Sequence, residues 1–173
     1  MLTSAVAHTQ EGESTHTDND GKSLHCLTFM VANAFVPNSF SDNTNDILIV
    51  PVFGLNYDYQ FNSKWGVGFH TEIILQQYKV EKHGNHEEIA RENPFSIAAI
   101  LFFKPHHRWK ILGGYGFEIE KNESFQLLRL GAEYGIELPK NWELSFTVEG
   151  DLKINGYYSM LLGIGFTKKI GIK

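Results

Sequence analysis

The chain has 173 residues, its Asp and Glu outnumber Lys and Arg by 20 to 15, and its formal net charge is −5. That length suits one domain of roughly 100–200 residues, and the acidic balance argues against a nucleic-acid partner, which would need a basic footprint. Cys26 is the only cysteine, so no internal disulfide can form, and no run reaches the ~18–20 consecutive apolar residues of a membrane helix. Spanning by strands stays open, because a barrel strand needs only about 9–11 residues and half of them can be polar.

Met1–Ala7 reads MLTSAVA, and Ala5-Val6-Ala7 has the form of a signal-peptidase site. The hydrophobic stretch before it is short, so this segment reads either as the remnant of a signal peptide or as a short frayed terminus. Residues 8–23 (HTQEGESTHTDNDGKS) are polar and acidic. Residues 1–24 are therefore expected to be a disordered leader and residues 25–173 a single folded domain.

From His25 onward, apolar runs alternate with polar residues at a period of two and are separated by turn signals. Strands are expected over 25–35, 47–61, 65–80, 94–103, 109–120, 125–138, 142–153 and 157–168. Between them lie a polar loop over 37–46 (PNSFSDNTND), a charged loop over 81–93 and three short turns: Asn62-Ser63-Lys64, Pro105-His106-His107-Arg108 and Pro139-Lys140-Asn141. Asn155-Gly156 is a strong hairpin signal. Short turns at one end and longer loops at the other are the pattern of a bacterial outer-membrane barrel, although the later outer loops are short too. YDYQFNSKW (57–65), LFFKPHHRW (101–109) and YGIELPKNW (134–142) repeat one device, a strand end, a turn and a Trp that starts the next strand. Pro51 interrupts the second strand, and a bulge is expected there, since proline removes a ladder hydrogen bond.

The alternation sorts residues onto two faces. Phe69, Phe117 and Phe146 share the apolar face with large residues of nearly every strand, while glycines and charges occupy the other. A soluble barrel of lipocalin-like, ligand-binding type would turn the aromatic face inward. An eight-stranded barrel has room for only a thin side-chain filling, and so many large residues would overfill it. The reading is therefore an all-β, eight-stranded antiparallel up-and-down transmembrane barrel with the aromatic wall outward. Trp65, Trp109 and Trp142 then form an aromatic girdle at the short-turn rim, with Tyr57, Tyr59 and Tyr134 nearby and Tyr157 and Tyr158 at the opposite rim.

The inward set is Asp58, His70, Glu72, Lys110, Glu118, Arg129, Glu133, Glu149 and Asp151. Charges in a narrow lumen must find partners. The leading reading is a salt-bridge plug with Arg129 and Lys110 as its cationic centre; a cation site among the excess carboxylates is the sharper alternative. His70, Glu72, Ser145 and Ser159 share that face, so a membrane-embedded hydrolase or acyl-modifying enzyme is a third, weaker reading, because a triad is defined by geometry. His83 and His86 in HGNH, beside Glu87 and Glu88, and the His106-His107 pair read as solvated loop residues rather than metal ligands. No catalytic residue, metal or cofactor is expected. Gly113-Gly114-x-Gly116 lacks the βαβ context of a dinucleotide fingerprint and reads as relief of crowding in the wall.

With the faces assigned, the stretches VFGLNYDYQFNSKWGVGFHTEI (52–73), KPHHRWKILGGYGFEIEKNESF (104–125) and RLGAEYGIELPKNWELSFTVEGDLK (129–153) resemble the small outer-membrane β-barrel proteins of Bacteroidetes-type bacteria. The resemblance implies an outer-membrane location and an uncharacterised role. The members of that group end on an aromatic residue, whereas this chain reads GFTKKIGIK after its last strand begins to close. The expected partners are outer-membrane lipid, the barrel-assembly machinery during insertion, and a surface partner contacted through loops 37–46 and 81–93. The expected role is structural or surface-interacting, not that of an open pore.

Overall fold

Period-two alternation puts one residue set on each face of a strand, and a barrel closes only when every backbone donor and acceptor finds a neighbouring strand. The computed structural model describes residues 23–41, 44–82 and 87–171. It contains ten strands: β1 (Leu24–Ser41), β2 (Thr44–Gln60), β3 (Trp65–Ile74), β4 (Gln77–Glu81), β5 (Glu88–Glu92), β6 (Phe95–His106), β7 (Trp109–Ile119), β8 (Phe125–Leu138), β9 (Trp142–Lys153) and β10 (Tyr158–Gly171). Eight of them form the wall in the order β1-β2-β3-β6-β7-β8-β9-β10, all antiparallel, and β10 pairs back onto β1 from Leu24↔Gly171 to Phe35↔Met160. The eight wall strands thus form a closed antiparallel barrel, in which the wall itself has no open edge. Among the described residues there is no helix.

Two expected loops turn out to be strand. Of residues 37–46, those described stay in the sheet: β1 runs on to Ser41 and β2 starts at Thr44, joined by pairs as far as Ser41↔Thr44. The register shift between Val36 and Ser39 takes in Pro37. A proline has no donor to give a ladder, and a bulge is where the ladder can spare one. The bulge expected at Pro51 is absent, since Asn33↔Pro51 lies in unbroken register. The N–H of Ile74 donates to the carbonyl of Pro94 (3.1 Å), so the polar groups of Ile74 face β6 and Val52↔Ile74 is a non-hydrogen-bonded pair. Pro51 therefore turns its nitrogen to the β3 side, one residue past the last β2–β3 pair, where no donor is needed.

Over 81–93 most of the described residues are strand rather than loop. The strand expected over 65–80 breaks at Leu75-Gln76, and β4 pairs with β5 from Gln77↔Glu92 to Glu81↔Glu88. Its period-two pattern is real but polar: Tyr78, Val80 and Arg91 are buried, whereas Gln77, Lys79, Ala90 and Glu92 are exposed. β4 also pairs with β1, at Ser39↔Val80 and Phe40↔Lys79. Those β1 residues pair with β2 on their other edge, and the pairing of β10 with β1 has already ended at Phe35. The hairpin thus leaves the wall between β3 and β6 and reaches the far edge of β1, crossing the outer mouth.

The wall is apolar on the outside. Phe69, Phe117 and Phe146 are 48%, 46% and 46% exposed, so the aromatic face does not enclose a cavity, and the soluble ligand-binding alternative is overturned. Trp65, Trp109 and Trp142 are exposed at the short-turn end. The Trp65 and Phe103 rings lie 4.7 Å apart, those of Trp109 and Tyr134 5.1 Å apart, and the Lys168 ammonium sits 5.0 Å from the Trp142 ring. At the other end Asn155 adopts φ 60°, the left-handed conformation that tightens the β9–β10 hairpin. Tyr158 faces outward there, but Tyr157, expected at the same rim, is 2% exposed and points into the barrel. It immediately precedes β10 and shares the inward parity of Ser159 and Leu161, so two adjacent tyrosines point to opposite faces.

Candidate functional site

The candidate site is the barrel interior, which two kinds of packing fill. Arg129 on β8 forms the first centre. Its Nη1 and Nη2 donate to Glu72 Oε1 and Oε2, each at 2.6 Å, and its Nε and Nη2 donate to Asp151 Oδ1 and Oδ2 at 2.7 and 2.8 Å. Asp151 is its register partner on β9, whereas Glu72 stands on β3, with β6 and β7 between in the wall. The planar guanidinium therefore binds two carboxylates bidentately and ties opposite walls together, a geometry no lysine can supply. Glu149, also on β9, brings Oε2 to 3.4 Å from Nε, and neither of its oxygens has a hydrogen-bond partner. Gly131 faces it, and a Cβ there would come within 2.7 Å of Glu149 Cγ.

The network continues toward the outer mouth. Lys153 Nζ donates to Ser159 Oγ at 2.5 Å and lies 3.6 Å from Asp151 and 3.7 Å from Glu118. Glu118 accepts from the Tyr157 hydroxyl at 2.8 and 2.9 Å, and the Tyr157 and Tyr78 hydroxyls are 2.9 Å apart. Arg91, carried in by β5, donates to Glu118, to Glu120 at 3.3 Å and to the Glu123 carbonyl at 2.5 Å. The hairpin over the mouth is thus pinned from within by a buried guanidinium.

A second ionic group lies nearer the short turns. Asp58 accepts from Lys110 Nζ at 2.8 Å and pairs with His70 Nε2 at 3.0 Å, and Lys110 reaches Glu133 at 2.7 Å. Gly68 stands opposite Asp58, and any Cβ there would fall 2.1 Å from its Oδ1. A cavity of about 20 Å³ at this end, lined by Cys26, Lys104 and Glu143 among others, has room for about one water.

The other packing is apolar, where a polar lumen was expected. Met30, Ala32, Ala34 and Val36 of β1 join Val50 and Val52 of β2, Tyr78 and Val80 of β4, Phe125, Tyr157 and Leu161 in one buried cluster beneath the hairpin. Short β-branched and alanine side chains on β1 and β2 leave the space that Tyr78 and Val80 occupy.

All nine inward residues expected from the alternation lie inside the barrel, and they form two groups rather than one. Arg91, Lys153, Glu120, Tyr78 and Tyr157 were missing from that set. Lys153 follows Glu149 and Asp151 on the same face of β9 and was legible; Arg91 was hidden by the reading of its segment as a loop. The serines do not assemble with His70: Ser159 accepts from Lys153, and Ser145 donates to the Gly165 carbonyl at 3.5 Å. Among the described residues no trio of His, Cys, Asp or Glu is placed to hold a metal. His83 and His86 lie outside the described residues, and the His106 and His107 rings, tilted against each other with centroids 4.0 Å apart, are exposed at a short turn.

No family model matches the chain, and no curated protein matches it in sequence. Solved structures do match its fold. The outer membrane protein OprG from Pseudomonas aeruginosa superposes with a TM-score of 0.55 at 12% identity, over 88% of this chain and 98% of that one. Neisserial surface protein A gives 0.54 at 14% identity, over 84% and 97%. Ail, the attachment invasion locus protein of Yersinia pestis, solved with the heparin analogue sucrose octasulfate, gives 0.52 at 14% identity, over 87% and 99%. At such identities the likeness establishes the fold. Closed barrel, apolar outer wall and tryptophan rim together make this chain a small outer-membrane β-barrel.

Proposed function

We propose that the chain is a closed outer-membrane barrel with a structural or surface-interaction role, and neither a pore nor an enzyme. The observation that carries this reading is Arg129 joined bidentately to Glu72 and Asp151 across the lumen. The β4–β5 hairpin laid over the mouth supports it. The nine inward residues are then a plug that holds the barrel shut, and the three tryptophans are its girdle in the periplasmic interface.

The same reading takes 1–24 as a leader and 25–173 as the membrane domain. It assigns insertion to the barrel-assembly machinery and keeps the likeness to Bacteroidetes-type small barrels. Contact with a surface partner falls to the outer ends of the β1–β2 and β4–β5 hairpins, which span 37–46 and 81–93. Exposed Glu87, Glu88 and Glu92 outweigh Lys79 on the second of these, which favours a cationic or neutral partner over a polyanion of the kind bound to Ail.

Planar-bilayer recording of the purified, refolded chain tests the closed state. The expected record is flat, without stable conductance steps at moderate voltage. Reproducible ion-sized steps from the heat-modifiable, folded form overturn it.

A further inference from the structure

We infer that the outer wall at Gly113 binds an anionic phospholipid of the short-turn leaflet, its acyl chain in a wall groove and its phosphate between Lys64 and Arg108. The outward residues of β7 are Trp109, Ile111, Gly113, Tyr115, Phe117 and Ile119, so a single glycine interrupts a row of large side chains. Gly113 pairs with Leu101 on β6 and with Leu130 on β8, and Leu130 pairs in turn with the outward Gly150 on β9. Standing between two glycines, Leu130 is 73% exposed. The missing side chain leaves a depression of about 540 Å³ bounded by Trp65, Leu101, Phe103, Ile111, Leu128 and Leu130. That is the size of a small-ligand site, roughly 300–1,000 Å³. It lies within the membrane belt, where the molecule available to fill it is a lipid chain.

Charge selects the headgroup. The groove begins at Trp65 and Phe103, and directly below it two short turns meet, the Lys104 N–H donating to the Lys64 carbonyl at 2.7 Å. Residues 61–65 (FNSKW) and 103–109 (FKPHHRW) carry Lys64, Lys104, His106, His107 and Arg108 and no carboxylate, in a chain of net charge −5. Lys64 and Arg108 are exposed. Trp65 and Trp109 set these cations at headgroup height. The third short turn differs in charge: there Lys169 is paired with Glu137 at 3.0 Å and Glu143 at 2.7 Å, whereas Arg108 donates to the uncharged Tyr134 hydroxyl at 3.4 Å. A basic rim beneath an apolar groove matches a lipid with an anionic phosphate and an extended chain. A zwitterionic lipid would use only the groove.

Native mass spectrometry of the folded barrel, released from micelles doped with phosphatidylglycerol or phosphatidylcholine, tests the proposal. One phosphatidylglycerol should be retained at roughly ten- to thirty-fold lower lipid concentration than phosphatidylcholine, as expected for two interfacial cations. The double variant K64Q/R108Q, altered only at exposed turn positions, should erase that preference and leave a weak adduct of either lipid. The control K140Q should retain it. G113F should weaken both adducts, because its side chain would enter the groove. A Cβ at Gly113 meets only Leu130 Cδ2 at 3.3 Å and the Arg129 carbonyl at 3.8 Å. If G113F does not fold, the double variant decides the matter. Equal retention of the two lipids, an adduct indifferent to K64Q/R108Q, or an adduct indifferent to a folded G113F overturns the site. A dimer that G113F dissociates, without any lipid adduct, overturns it in favour of a second copy.

Discussion

The inward faces of β1 and β9 line the same barrel with opposite chemistry, separated by one strand. β1 contributes Cys26, Thr28, Met30, Ala32, Ala34 and Val36; β9 contributes Glu143, Ser145, Thr147, Glu149, Asp151 and Lys153. On the β1 side, exclusion of water and close packing of small residues against Tyr78 and Val80 hold the interior. On the β9 side, what holds it is the mutual satisfaction of charges through Arg129, which is cooperative and fails as a unit when one member goes. Both sides fill the interior, but by different means. Apolar filling tolerates small losses gradually. Ionic filling stabilises little over an apolar isostere, yet leaves a heavy penalty when broken.

The largest effect should therefore come from the ionic side. Arg129→Met removes the partner of Glu72, Asp151 and Glu149 at once and should cost about 3–5 kcal/mol, read as a lowered urea midpoint in lipid vesicles by tryptophan fluorescence. Adding Glu72→Gln and Asp151→Asn should restore most of that loss, since the unpaired charges then disappear. A single variant within 1 kcal/mol of the parent, a limit set at the value of about one ordinary hydrogen bond, would show that the two linings do not differ in kind. Arg91→Ala comes next, at about 2–3 kcal/mol, because it takes the guanidinium from Glu118 and Glu120, leaving Glu118 to Tyr157 and Lys153, and frees the hairpin. Its loss should be local: hydrogen exchange over 77–82 and 87–92 should accelerate while the amides of β8 and β9 keep their protection. Uniform acceleration around the barrel would mean that the hairpin is part of the wall's own cooperative unit.

The same contrast explains what was legible in the sequence. Face assignment was, because Leu128, Leu130 and Tyr134 on one strand and Trp142, Phe146 and Val148 on the next recur at even spacing so plainly that the strands expected over 125–138 and 142–153 coincide with β8 and β9. The shared inward face of Glu149 and Asp151 followed from the same rule. The partner of Arg129 on β3 did not, since a contact across a lumen has no signature within any one strand. The apolar lining of β1 and β2 escaped notice because Met30, Ala32, Val50 and Val52 are as apolar as their outward neighbours, so the alternation there is one of size and not of polarity. The β4–β5 hairpin was missed for the converse reason, β4 being read as the end of the strand over 65–80 and β5 as loop. Its outer face is charged, and its buried face holds a Tyr, a Val and an Arg, too few apolar residues to announce a strand.

Smaller changes on the β1 side should sharpen the comparison. Val50→Ala removes about two methylene equivalents from the fully buried cluster and should cost about 1–2 kcal/mol, measured as the same urea midpoint shift. A larger, network-like loss there would erase the distinction between the two linings. The smallest effect belongs to the hydrogen bond that β1 makes on its inward face, between the Thr28 and Thr167 hydroxyls at 2.8 Å. Thr28→Val keeps the shape and the β-branched fit to a strand while deleting one hydroxyl. Thr167 keeps a hydroxyl that can turn toward the small cavity it also lines, where a water can replace the lost partner. The expected cost is therefore under about 1 kcal/mol, with the β1–β10 amides still protected from exchange. The double variant Thr28→Val with Thr167→Val should be no worse than the single one. A loss that grows to several kcal/mol would mean that even the apolar half of this barrel is held by a polar pair, and that the difference between β1 and β9 is one of degree.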